Sequence, residues 1–189
     1  MSKLLFLVFL SQLGHQLVAQ GSGGLALSVQ GDVRFSPTQP NPALGPKISL
    51  HYSPSDALNL SAVYSSGQSQ QEHDGPTGTF TSGVSMQTYR LVAGWSPIGV
   101  KGLHMHLEVG AGLSSFSVPT RSVSLGAFGE RTIQDQSDQT FTYSFGVSFQ
   151  REIAPHIALH LSPEVLISPT SSIGDPVYCF GGGINVQIL

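Results

Sequence analysis

Residues 102–113 read GLHMHLEVGAGL, and side chains along a strand alternate between its two faces. Leu103, Met105, Leu107, Val109, Ala111 and Leu113 therefore share one face, while His104, His106, Glu108, Gly110 and Gly112 share the other. One face is wholly apolar and the other carries two imidazoles, a carboxylate and small residues. A barrel closed in lipid asks for this division, apolar side chains outward and polar ones inward, the reverse of a soluble sheet with a dry core.

The same alternation recurs along the chain. Leu25, Leu27, Val29, Val33 and Phe35 mark a first strand, and Ile48, Leu50 and Tyr52 a second. Leu58, Leu60, Ala62 and Tyr64 mark a third, and Tyr89, Leu91, Ala93 and Trp95 a fourth. With residues 102–113 as the fifth, Phe141 to Phe149 supply a sixth, Ile157, Leu159 and Leu161 a seventh, and Tyr178 to Ile188 an eighth. The prolines of SPTQPNPALGP exclude helix and ladder between the first two strands, and Pro163 predicts a bulge or an early end to the seventh. Residues 67–83, rich in Gln, Ser and Gly, and residues 118–138 read as long polar loops, and residues 168–176 as another loop.

Composition narrows the setting. Only 10% of the 189 residues are charged, against about 25% in an ordinary soluble domain. Yet no apolar run approaches the roughly 20 residues of a membrane helix. Lys3, the apolar run from Leu4 to Leu10 and the small residues before Gln20 have the order of a secretory signal peptide, so residues 1–20 are expected to be removed and residues 21–189 to form one domain. Seven basic residues then stand against eleven acidic ones, and no basic patch suits nucleic acid. Cys179 is the single cysteine, which excludes a disulfide framework, and it reads as a small buried interior residue.

The eight strands predict an all-β, antiparallel, up-and-down transmembrane barrel. Short turns near Pro54, Pro97 and Pro155 fall at one end and the longer loops at the other. In this register Asp32, Arg34, Lys47, Arg90, Glu108 and Glu164 all face inward, three acids against three bases. None meets lipid, where a charge costs about 2–4 kcal/mol at the midplane. Tyr52, Trp95 and Phe149 are placed for one aromatic girdle; Phe35, Tyr64, Tyr89, Tyr143 and Tyr178 are placed for the other.

With these features the chain resembles the small eight-stranded outer-membrane barrels of Gram-negative bacteria, the porin-like OmpA/OmpX/OmpW group, over residues 21–189. The alternating C-terminal strand, Tyr178, Phe180, Gly182, Ile184, Val186 and Ile188, is similar to that group's assembly signal, although Leu189 follows where the group usually ends on an aromatic residue. The resemblance implies an outer-membrane location, contact with outer-membrane lipid and the assembly machinery, and long loops free to meet an extracellular partner. It implies a structural or surface-interaction role without catalysis or cofactor. Passage or binding of a small solute is the alternative, and lipid A-directed hydrolysis a further one.

Two side-chain groups bear on those alternatives. His104, His106 and Glu108 could aim two imidazoles and a carboxylate at one metal ion. They also suit the polar filling of a narrow barrel, which is the favoured reading and predicts no effect of zinc. His160 and Ser162 resemble the His-x-Ser pair of outer-membrane lipid A deacylases, with Glu164 as the orienting carboxylate; Pro163 stands where that family has Asn, and all three residues face the lumen. No catalytic, cofactor-binding or metal-binding residue is therefore expected.

Overall fold

The computed structural model describes residues 24–37, 39–55, 57–75, 78–100, 103–118, 121–124, 130–133, 136–169 and 176–188. The expected signal peptide lies outside them, as does most of the loop over residues 168–176. Ten strands occur in the order β1 (Gly24–Ser36), β2 (Gln39–Ser55), β3 (Leu58–Gly75), β4 (Gly78–Val100), β5 (Leu103–Val118), β6 (Arg121–Ser124), β7 (Glu130–Ile133), β8 (Gln136–Ala154), β9 (Ile157–Ile167) and β10 (Val177–Gln187). Eight of them close into a barrel in the order β1-β10-β9-β8-β5-β4-β3-β2, and β6 and β7 form a separate two-stranded ribbon.

Every pairing is antiparallel, and β1 meets β10 from Ala26↔Gln187 to Phe35↔Tyr178, so the barrel has no free edge along this seam. Closure lets each strand satisfy its backbone groups on both sides, which a sheet in hydrocarbon must do. The expected faces hold throughout. Leu27, Val29, Leu60, Leu91, Leu107, Val109, Phe145, Leu161 and Ile184 project from the outer wall, whereas Asp32, Arg34, Lys47, Arg90, His160 and Glu164 are buried inside. The outer wall also carries Trp95 and Phe149 at one end and Phe35, Tyr143 and Tyr178 at the other. Tyr64 and Tyr89 pair across β3 and β4 with ring centroids 5.0 Å apart.

Of the prolines expected to break ladders, Pro40, Pro42 and Pro46 lie inside β2 and Pro163 inside β9. β2 begins at Gln39 and keeps its register with β1 through Gly31↔Pro46, while its pairing with β3 resumes on either side, at Leu44↔Gln68 and Lys47↔Ser65. Likewise Pro163 pairs with Phe180 of β10, and the register with β8 is the same at Gly146↔Glu164 and Phe149↔Leu161, with no bulge between them. A strand residue directs its N–H to one neighbour only, so a proline interrupts one ladder and leaves the other whole.

The reading of residues 67–83 as a loop is also corrected. β3 and β4 pair without a break from Leu58↔Trp95 to Gly75↔Gly78, and only residues 76–77 lie between them. Within 118–138, β5 and β8 remain paired as far as Val118↔Gln136, and the ribbon carries Arg121↔Ile133 to Ser124↔Glu130. Apolar alternation marks a strand only where one face meets lipid or a core. Beyond that, Gln, Ser and Thr follow one another while the backbone ladder continues unmarked.

Candidate functional site

The inward-facing side chains form a column that fills the barrel. At mid-height Lys47 of β2, Arg90 of β4 and Glu164 of β9 meet. Arg90 donates from Nη1 to Glu164 Oε2 at 2.6 Å and from Nη2 to Oε1 at 2.8 Å, a two-pronged contact, and Lys47 Nζ donates to Oε1 at 2.9 Å. Their side chains are at most 5% exposed, so the carboxylate is shared by two cations away from water.

A second network joins this cluster to β1. Lys47 Nζ donates to Ser162 Oγ, which donates to Gln30 Oε1, each at 2.9 or 2.8 Å. Gln30 Nε2 donates to Ser28 Oγ at 2.9 Å and to His160 Nδ1 at 2.8 Å. An amide nitrogen can only donate, so His160 Nδ1 is the acceptor and the neutral ring carries its proton on Nε2. The hydroxyl hydrogen of Ser162 is committed to Gln30, and Glu164 is held by Lys47 and Arg90. The relay that a His160–Ser162–Glu164 hydrolase needs is not assembled, although all three residues face the lumen as the sequence reading placed them.

Glu108 is separate from both groups, its Oε1 accepting from Ser148 Oγ at 2.6 Å. The space left between Lys47, His160, Glu108, Ser162 and Glu164 is about 10 Å³, room for one water at most. Above the cluster, Arg34 Nε donates to Asp32 Oδ2 at 2.8 Å, and Thr142 donates to Ser114 at 2.7 Å. The column then turns apolar, with Met86, Phe116, Leu166 and Cys179 packed together. Cys179 is thus a buried interior residue, as its sequence position suggested. Met86, Phe116 and Leu166 share the inward parity of Arg90, Glu108 and Glu164, so strand alternation carried the signal for this inner cluster, but the sequence reading did not single it out.

Below the cluster, at the end where β2 leads to β3, β4 to β5 and β8 to β9, the column opens into a vestibule of about 390 Å³. His51, His104, His106 and His156 line it with Asn59, Gln150, Glu152 and Asn185. His104 and His106 therefore look into one space, but Glu108, expected beside them, lines the gap above and is held by Ser148. A Cβ at Gly94 would stand 3.5 Å from the Cβ atoms of both Asn59 and His106, an ordinary packing distance. His51 Nδ1 lies 2.7 Å from Ser61 Oγ, while His51 Nε2, His106 Nδ1 and Asn185 Oδ1 are buried without a protein partner.

No protein-family model and no curated protein matches the chain. Solved structures do. Neisserial surface protein A is 12% identical with a TM-score of 0.61, covering 88% of this chain and 97% of its own. OprG of Pseudomonas aeruginosa is 7% identical with a TM-score of 0.61, covering 88% and 96%. Ail, the attachment invasion locus protein of Yersinia pestis, solved with the heparin analogue sucrose octasulfate, is 13% identical with a TM-score of 0.54, covering 88% and 97%. Together with the closed eight-stranded wall, these likenesses show that the chain has the fold of the small outer-membrane β-barrels.

Proposed function

We propose that this protein resides in a bacterial outer membrane as a closed barrel and acts through its exposed end, in a structural or surface-interaction role, without conducting solutes and without catalysis. In this orientation the ends where β2 leads to β3, β4 to β5 and β8 to β9 face the periplasm, and the β3–β4 hairpin and the β6–β7 ribbon stand outside. The observation that carries the reading is the buried cross-lumen cluster of Lys47, Arg90 and Glu164, beside which a gap of only about 10 Å³ adjoins Lys47 and Glu164. A hydrated ion passing this level would have to part buried charges from their partners. The attachment and invasion named for Ail supports a surface role for this fold.

The test is purified protein refolded in detergent and inserted into planar bilayers, with electrophoresis before and after boiling. The expected result is a mobility shift on boiling, a β-type circular dichroism spectrum and no sustained conductance. Steady conductance through the native barrel would replace this reading with the solute-channel one. Unchanged mobility with a helical spectrum would remove the barrel itself.

A further inference from the structure

The vestibule holds a concentration of one side-chain type. Among the five histidines whose side chains are described, four line it, and the fifth, His160, has its ring centroid 5.5 Å from that of His51. Its lining includes the carboxylate of Glu152 and no lysine or arginine. His51 and His106 are 5% and 7% exposed, and each has one buried ring nitrogen with no protein partner, His51 Nε2 and His106 Nδ1. An imidazole nitrogen left unpaired away from water is costly, and a neutral imidazole is a good ligand for zinc and copper(II).

We propose that this vestibule is an open, exchangeable site for a divalent transition-metal ion, zinc or copper(II), held by His51 and His106 and completed by water. No three His, Cys, Asp or Glu side chains among the described residues gather closely enough for a closed centre, so the site is not a structural one. His104 and His156, toward the mouth, are the groups an entering ion meets first. The carboxylate that the sequence set beside His104 and His106 is not a ligand, because Glu108 points to Ser148. His51, 55 positions before His106 in the chain, takes its place. The inference rests on the barrel fold and not on the surface-interaction reading, and a conductance result leaves it untouched.

The experiment uses untagged protein folded in detergent and copper(II) chloride alone as the probe. Isothermal titration and electron paramagnetic resonance are recorded for wild type, His51→Gln, His106→Gln and Glu108→Gln, each checked for the mobility shift on boiling. Wild type is expected to bind one saturable equivalent with nitrogen splitting in the copper signal. Each histidine variant should lose more than about tenfold in affinity, at least the loss seen when groups that merely support a metal ligand are removed. Glu108→Gln should bind as wild type does. If a histidine variant fails to fold, acylation of wild-type histidines by diethyl pyrocarbonate, read by mass spectrometry, decides the matter, and copper should protect His51 and His106. Absence of saturable binding, a copper signal without nitrogen splitting, unchanged affinity in both histidine variants, or protection confined to other histidines would each overturn the proposal.

Discussion

Arg90 and Glu164, 74 positions apart in the chain, meet across the lumen through two parallel hydrogen bonds of 2.6 and 2.8 Å. Lys47 reaches the same carboxylate, so one acid on β9 ties together β2 and β4 on the other side of the barrel. Buried charges persist when each has a partner, and removing one partner leaves the others uncompensated.

Glu164→Gln should therefore destabilise the folded barrel strongly, by about 3–5 kcal/mol, because two cations lose their shared anion. Arg90→Met should cost less, since Lys47 still neutralises Glu164. Urea unfolding in lipid vesicles, followed by tryptophan fluorescence from Trp95, measures both. Equal stability of Glu164→Gln and wild type would mean that the three side chains do not meet in the membrane.

On the opposite face, Leu107 of β5 projects outward and is 43% exposed to the surroundings that lipid supplies. Leu107→Arg should cost about 2–4 kcal/mol if the residue lies near mid-membrane, because the guanidinium must be desolvated or draw water into hydrocarbon. Glu108→Gln, one residue away on the inner face, should cost less, since the amide still accepts from Ser148. A silent Leu107→Arg would refute the outward face of β5.

Gly112 marks a close approach in the wall. A Cβ there would run into the Tyr89 carbonyl oxygen and the Arg90 Cα, both backbone atoms that cannot swing aside. Gly112→Val should accordingly lower the yield of heat-shifted, folded barrel, and any folded fraction should unfold about 1–3 kcal/mol more easily, as expected of an overpacked site. Gly31→Ala is the control, because nothing lies within 4 Å of a Cβ at that position.

The β3–β4 hairpin separates two insertion sites that both fall within residues 67–83. Ser69 is buried, and its hydroxyl donates to the Asn41 carbonyl at 3.0 Å, which holds β3 against β2. An epitope inserted after Ser69 should disrupt folding, whereas one placed between Gly75 and Gly78 should be tolerated, because no strand pairing crosses it. In the proposed orientation the second tag is detected on intact cells. Detection only after the outer membrane is permeabilised would reverse that orientation.

The sequence by itself determined the eight-strand barrel and its two faces. Leu107 outward with Glu108 inward, or Leu161 outward with His160 inward, follows from period-two alternation, and that alternation depends only on neighbouring residues. It could not show that strands run on through Pro46, Pro163 and residues 67–75, because backbone pairing needs no apolar pattern and a proline silences one ladder alone. Nor could it say which inward residues meet. Glu164 could have oriented His160 or balanced a base, and Glu108 could have joined His104 and His106. The shared register of β2, β4 and β9 brought Lys47 and Arg90 to Glu164, and the register of β5 with β8 set Glu108 against Ser148. Parity along a strand is local, but the height at which two side chains face each other across a lumen depends on how every strand between them is staggered, and that is set when the barrel closes.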